Sequence, residues 1–190
     1  MVQVQSLPQR VLVKSPWLSI GLPLLFQGMI VFSIPAQKAY TLTTGTTVFL
    51  QTVPVDPYDL LRGRYVTLDY AAAQSETLEK LPGWSSELQE KPVVYLTLKP
   101  GEGMRDPWIP VGIQAQFPQT LPPGHQVMQG RWRRRGGLDL GLSQYFIPEG
   151  IGDGLEADLR RHPQAARAEV KVDAQGKSAL VQLWVEDRSY

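Results

Sequence analysis

The stretch SPWLSIGLPLLFQGMIVFSIPAQ, residues 15–37, contains no charged residue and lies between Lys14 and Lys38. As a helix it would extend about 35 Å, which is longer than the roughly 30 Å hydrocarbon core of a bilayer. Pro23 lies inside the stretch and is compatible with a kinked membrane helix, because neighbouring groups satisfy the carbonyl that it frees. The sequence therefore predicts one transmembrane helix over residues 15–37.

The residues that flank this stretch predict its orientation. Arg10 and Lys14 precede it, whereas Lys38 is the only basic residue immediately after it. By the positive-inside rule, residues 1–14 form a cytoplasmic N-terminal tail and residues 38–190 an extracytoplasmic domain. A cleaved signal peptide is the alternative, but a proline beside the candidate cleavage position and the length of the apolar run disfavour it. We therefore expect an uncleaved, single-pass anchor.

Composition limits the chemistry that this chain can perform. Its 190 residues include no cysteine, which excludes disulfides, a thiolate nucleophile and cysteine-ligated metals. Nineteen basic and 18 acidic residues give a net charge of +1, so no global field attracts nucleic acid. His125 and His162 are too few for a histidine triad, and serine-hydrolase, zinc-protease and phosphate-loop motifs are missing from the sequence. We therefore expect no metal, no cofactor and no nucleic-acid partner.

The remainder of the chain has the pattern of short strands. Turn residues at Gly136-Gly137 and at 173–177 separate β-branched, apolar runs and predict two hairpins. Residues 154–162 have helical spacing, and residues 74–90 form a polar spacer that carries another short helix or a loop. These patterns predict a mainly-β (β-rich α+β) domain, a compact antiparallel barrel or sandwich with one short helix. The predicted strands are 46–53, 65–71, 93–98, 108–115, 126–135, 138–142, 168–172 and 178–185.

Two stretches carry unusual local chemistry, VDPYDLLRGRYVTLDY at residues 55–70 and YFIPEG at residues 145–150. Together they resemble the GDYXXLXY family, bacterial membrane-anchored proteins named for the string Gly-Asp-Tyr-x-x-Leu-x-Tyr. The resemblance covers residues 38–185; it implies a bacterial cell membrane and no particular reaction. Arg64 stands where the family usually has aspartate. The matching residues are Asp56, Pro57, Asp59, Leu60, Gly63, Tyr65, Leu68 and Tyr70, and then Tyr145, Phe146, Pro148, Glu149 and Gly150.

Three acidic residues of these stretches are candidates for catalysis or cation binding. Asp56 and Asp59 are three residues apart, so a tight turn would bring their carboxylates together to share a proton or hold a hard cation. Glu149 would complete such an acidic site. Alternatively, Asp59 and Glu149 cap backbone amides, and the nearby Arg62 and Arg64 neutralise the charge. The pattern favours a turn and ion-pair scaffold, and it leaves the acidic site open.

A basic cluster lies at one predicted hairpin, in the order Arg131-Trp132-Arg133-Arg134-Arg135. Such a cluster is typical of a solvated hairpin tip over a packed tryptophan. It also suits a binding patch for anionic lipid headgroups or an envelope polymer. Both interpretations stay open at the level of sequence.

Within the apolar stretch, Gln27 and the small residues Gly21, Gly28 and Ser33 offer a packing site for another membrane helix. Together with the missing catalytic motifs, this favours a non-enzymatic accessory subunit of a larger integral membrane protein. One alternative is a membrane-tethered enzyme or cation binder that uses the three acidic residues. Another is an envelope-polymer or anionic-lipid-binding module that uses the basic cluster.

Overall fold

The computed structural model describes residues 16–53, 65–134, 136–146, 152–162 and 164–190. The predicted tail, residues 1–14, lies outside these ranges. Residue contacts divide the chain into two compact units, of which the first ends at Gln37 and the second runs from Lys38 to Tyr190.

Helix α1 runs from Pro16 to Thr44 and passes through both Pro23 and Pro35. The helix therefore continues past residue 37, where the predicted transmembrane span ends. A proline disturbs the turn before it, whereas the residues after it can continue the ladder. In the last turn the hydroxyl of Thr44 donates to the carbonyl of Tyr40 at 2.9 Å. By length and composition alone, the described part of the chain holds one helix able to cross a membrane, Ile20–Thr44.

The rest of the described chain is built mainly from antiparallel strands. Two short 3-10 helices, Ala71–Ala73 and Ser86–Glu90, lie between strands. The strands are β1 (Thr46–Val53), β2 (Tyr65–Thr67), β3 (Asp69–Tyr70), β4 (Val94–Lys99), β5 (Ile109–Gln114), β6 (Gln126–Trp132), β7 (Leu138–Asp139), β8 (Gln144–Phe146), β9 (Ala166–Val172), β10 (Ser178–Val185) and β11 (Arg188–Ser189), and the helices are α2 (Ser75–Leu78) and α3 (Gly152–Arg161).

These strands form two larger sheets and one ribbon. One sheet has the order β11, β10, β9, β1, β3, the other has the order β5, β4, β6, β7, and β2 pairs with β8. The inner faces of the two sheets share one hydrophobic core, to which Leu50, Leu96 and Val170 each contribute a fully buried side chain. Burial alternates strictly along β9, as expected for a strand with one face on a core. The predicted mainly-β antiparallel domain is confirmed.

Both predicted hairpins are present. Strands β6 and β7 flank Gly136 and Gly137, whose φ angles are 87° and 74°, and β9 pairs with β10 across the second turn. The predicted strand 138–142 is wrong beyond Asp139. Its carboxylate accepts the amide of Gly141 at 2.9 Å, and the positive φ of 73° at Gly141 bends the chain away.

The predicted strand 65–71 is interrupted at Leu68. The residues before it pair with β8 and those after it pair with β1, so the chain changes sheet at this point. Leu68 itself is buried, and its amide donates to the carbonyl of Ser143 at 2.9 Å. The period-2 alternation of the sequence continues across Leu68, but the strand with which the chain pairs changes.

Candidate functional site

The two family-like stretches meet in the β2–β8 ribbon. Tyr65 is opposite Phe146, Val66 is opposite Tyr145, and Thr67 is opposite Gln144 in an antiparallel register. The first stretch contributes β2, and the second contributes the end of β8. Stretches about 80 residues apart in sequence therefore form one structural unit.

Tyr70 anchors this unit in the core. Its side chain has no exposed surface, and its hydroxyl donates to the carbonyl of Leu142 at 2.8 Å. Burial, reinforced by the neighbouring Asp69 carboxylate, raises the pKa of Tyr70 above its ordinary value of 10. The phenol therefore stays neutral and serves as a structural donor.

Asp69 lies next to Tyr70 and collects three donors. One carboxylate oxygen accepts Nη1 of Arg133 at 2.8 Å and the amide of Tyr70 at 3.2 Å, and the other accepts Nε2 of Gln74 at 2.8 Å. About a third of each side chain of the ion pair stays exposed, 32% for Asp69 and 30% for Arg133. Nη2 of Arg133 is buried and has no hydrogen-bond partner within the described residues.

This ion pair divides the predicted basic cluster. Arg133 is held against Asp69, and the half-buried Trp132 packs on the core. Arg131 and Arg134 are exposed, and Arg135 lies outside the described residues. Trp132 therefore packs beneath the hairpin, as the interpretation of a solvated tip over a packed tryptophan predicts, whereas Arg133 is held by Asp69 and is not a freely exposed member of the cluster.

A second network ties Tyr145 to helix α3. The hydroxyl of Tyr145 donates to the backbone oxygen of Tyr190, and the hydroxyl of Tyr190 donates to the carboxylate of Asp158. Nη1 of Arg188 also lies 3.2 Å from that carboxylate. These donors, the Tyr190 hydroxyl first, lower the pKa of Asp158, and the same bond raises the pKa of Tyr190.

Asp158 also lines a polar cleft of about 290 Å³. In the same cleft, Nδ1 of His162 lies 3.2 Å from a carboxylate oxygen of Glu186. Three acidic side chains, two arginines and this histidine line the cleft, so its charges are largely compensated. In the described ranges no group of three or more histidine or acidic side chains is arranged to hold a metal ion. The lining residues are Asp158, Arg161, His162, Val185, Glu186, Asp187 and Arg188.

The model of the GDYXXLXY protein family matches residues 27–183, which is most of the chain. The chain belongs to the GDYXXLXY family. The match includes both stretches on which the resemblance was based, so the resemblance is confirmed. Comparisons with curated proteins and with solved structures give no significant match.

Several GDYXXLXY motif residues lie in parts of the chain that the structure does not describe. They include all three acidic candidates, Asp56, Asp59 and Glu149, and also Pro57, Leu60, Gly63, Pro148 and Gly150. Whether the three carboxylates meet therefore stays a prediction. Of the aromatic motif residues, Tyr70 is core, and Tyr145 is half-buried and packs against the core.

Sequence reasoning missed two carboxylates of this GDYXXLXY protein that each bond to several groups. Asp69 occupies a variable position of the family string, and its ion-pair partner Arg133 is 64 residues away. Asp158 lies in the predicted helix, 32 residues before its partner Tyr190. No local pattern signals either pair, because each joins segments that are far apart in the sequence.

Proposed function

We propose that this GDYXXLXY protein is anchored by α1 in the bacterial cell membrane, with its N-terminus in the cytoplasm. The domain of residues 38–190 then lies on the extracytoplasmic side. It acts there as a non-enzymatic accessory subunit of a larger integral membrane protein. The proposal rests on the exposed surface of α1 and on the bonding of three described carboxylates.

The exposure of α1 supports the anchor. From Ile20 to Ile34, its large apolar side chains are between 55% and 76% exposed, and they occur on all sides of the helix. In water such a surface would be strongly unfavourable, since each apolar side chain contributes about 1.5–3 kcal/mol when it leaves water. A lipid environment removes this cost, because it surrounds the helix on every side.

The bonding of Asp69, Asp158 and Glu169 supports an accessory role over a catalytic one. Asp69 accepts three hydrogen bonds, and Asp158 is held by Tyr190 and Arg188. The carboxylate of Glu169 accepts the indole N–H of Trp184 at 2.8 Å. A general base needs an accessible lone pair that faces a substrate, and these carboxylates use theirs to hold the fold.

Crosslinking in native membranes, followed by mild-detergent purification and mass spectrometry, tests this function. We expect resistance to carbonate extraction and one dominant integral membrane protein of a different sequence. The variant Arg131→Glu with Arg134→Glu would show whether the partner contacts the hairpin. Lys99→Glu, at an exposed residue near the opposite end of the β4–β6 strand pair, is the control. Extraction by carbonate would contradict the anchor, and purification without a different membrane protein would contradict the accessory role.

A cation-binding or acidic enzyme site is the second candidate. The β2–β8 pairing favours it, because Tyr65 and Phe146, the positions where the two motif stretches leave the described chain, are opposite each other. Titration of the full chain with Ca²⁺ or Mg²⁺ tests this candidate. A rise in thermal stability that is lost in a variant with Asp56→Asn, Asp59→Asn and Glu149→Gln would support it. An unchanged melting temperature in the parent chain would reject it.

A third candidate function is binding to anionic lipid or an envelope polymer. It is favoured by Arg131 and Arg134, which are both exposed. Flotation with vesicles that contain anionic lipid, and co-sedimentation with envelope polymer, would measure it for the chain from residue 38 onward. The double charge reversal, Arg131→Glu with Arg134→Glu, should abolish binding of this kind. Unchanged binding would exclude a role for these arginines.

A further inference from the structure

Gln27 differs from Ser33, Thr43 and Thr44, three small hydroxyl residues of α1. The hydroxyl of Ser33 donates to the carbonyl of Ile30 at 2.7 Å, and the hydroxyls of Thr43 and Thr44 bond to carbonyls of the preceding turn. Each is therefore satisfied within its own helix. The exposed amide of Gln27 has no hydrogen-bond partner within the described residues.

The depth of Gln27 makes an unpaired amide costly. It follows Pro16, the first residue of α1, by 11 positions, or about 16 Å along the helix. With α1 in the bilayer, this depth is near the middle of a hydrocarbon core of about 30 Å. An amide there finds no water and gains from a hydrogen bond to another helix.

Gln27 also lies in a row suited to helix pairing. Ile20, Leu24, Gln27, Val31 and Ile34 follow one another at steps of four, three, four and three residues. This spacing places side chains along the seam of a left-handed two-helix pair. A single polar residue in such a seam fixes its register and the number of helices. Gly28 borders the row, and a Cβ atom there would meet nothing within 4 Å, so the backbone can be approached closely.

We propose that the partner at this row is a second copy of the same chain, in a parallel pair joined by the two Gln27 amides. This inference rests on the proposed placement of α1 in the membrane. Two copies inserted in the same orientation bring Gln27 to the same depth. An amide carries both a donor and an acceptor, so two of them satisfy each other across a twofold axis without a charged partner.

Single-cysteine crosslinking maps the interface directly, because the natural chain has no cysteine. In native membranes that contain the full-length protein, Leu24→Cys and Val31→Cys should form disulfide-linked dimers. Leu22→Cys and Met29→Cys, on the opposite side of α1, should form few. Equal crosslinking at all four positions, or none, would overturn the proposed row.

Energy transfer between labelled full-length chains in liposomes measures the contribution of the amide. Gln27→Leu should weaken dimerisation roughly 3- to 30-fold, the range for interhelical hydrogen bonds in bilayers. Gln27→Asn should retain most of the affinity. Ser33→Ala is the matched control and should have no effect, because Ser33 bonds to its own helix. Gln27→Leu with unchanged dimerisation would overturn the proposal.

Two further outcomes separate this inference from the proposed function. A Gln27-dependent crosslink to a different membrane protein, with no dimer, would overturn the second copy and support the accessory role. Resistance to carbonate extraction is measured in parallel on the parent chain and on Gln27→Leu. Loss of the parent chain from the membrane would overturn both proposals. A chain that stays in the membrane and binds a different membrane protein, but no second copy, would overturn only the dimer.

Discussion

At the scale of single residues, Tyr70 places a polar atom inside an apolar core. Its hydroxyl is fully enclosed and donates to the carbonyl of Leu142 at 2.8 Å. Tyr70→Phe leaves this carbonyl without its donor where water does not reach. We expect the variant to lose about 1–3 kcal/mol of unfolding free energy. Denaturant titration of the full chain in mild detergent would measure the loss.

Tyr95→Phe is the matched control. The ring of Tyr95 contacts Phe117 edge to face at 5.5 Å, and its hydroxyl has no hydrogen bond within the described residues. Removal of this hydroxyl should change the unfolding free energy by less than about 0.5 kcal/mol. Equal losses in the two variants would contradict a structural role for the Tyr70 hydroxyl.

The buried hydroxyl of Tyr70 also leads us to expect a loss of stability at alkaline pH. Because burial raises the pKa of Tyr70, the folded chain keeps its proton at a pH where the unfolded chain releases it. This contribution is complete below the unfolded pKa of about 10 and is lost as the pH rises above it. Between pH 9 and 11 the denaturation midpoint should fall more steeply in the parent chain than in Tyr70→Phe. Parallel curves would contradict the prediction.

A third prediction concerns the ion pair between Asp69 and Arg133. Both side chains are about one-third exposed, so solvent screens the 2.8 Å contact. A double-mutant cycle with Asp69→Asn and Arg133→Met should give a coupling energy of about 0.5–1 kcal/mol. The same cycle with Arg131→Met, an exposed neighbour, should give a value close to zero. Equal coupling energies in the two cycles would contradict the prediction, because they would show that the direct contact between Asp69 and Arg133 adds nothing beyond general proximity in the hairpin.

At the scale of elements, the β6–β7 hairpin depends on Gly137. Its φ is 74°, and a Cβ atom there would lie 2.6 Å from the carbonyl oxygen of Ala73. Gly124 has a similar φ of 78°, but a Cβ atom there would meet nothing within 4 Å. Gly124→Ala should therefore cost about 1 kcal/mol, the conformational strain alone. Gly137→Ala should cost about 1–3 kcal/mol more in unfolding free energy, because it adds a clash with backbone; equal costs would contradict this.

The same elements show which parts of the fold are readable from sequence. The hairpins at Gly136-Gly137 and at 173–177 were predictable, because turn chemistry is local. The bounds of β1, Thr46–Val53, were predicted without error, since the β-branched run ends where the pairing does. The change of sheet at Leu68 was not predictable, because the alternation of side chains continues while the partner strand changes. The length of α1 was underestimated because the predicted span ended with the uncharged stretch, whereas the helix continues beyond Lys38 to Thr44.

At the scale of the whole molecule, the two family stretches were recognised from the sequence, but their pairing with each other was not predicted. The β2–β8 ribbon joins residues about 80 positions apart, and the Tyr145–Tyr190–Asp158 network adds two further segments. Long-range pairing of this kind follows from the packing of two sheets on one core and not from local propensity. The acidic candidates illustrate the same limit, since their spacing in sequence does not determine what their carboxylates contact.

The last turn of α1 offers a test of where the stable domain begins. Thr41 is buried, and its hydroxyl donates at 2.7 Å to the buried carboxylate of Asp173, which also accepts the amides of Gln175 and Lys177. We expect the fragment 38–190 to fold in water, and the fragment 45–190 to be less stable by about 1–3 kcal/mol. Urea unfolding followed by circular dichroism would measure both. Thr41→Val in the longer fragment should reproduce much of the loss, and Thr43→Val, whose hydroxyl bonds to its own helix, should not. If 45–190 were as stable as 38–190, the helical turn would belong to the anchor alone, and the Thr41–Asp173 bond would contribute nothing to the domain.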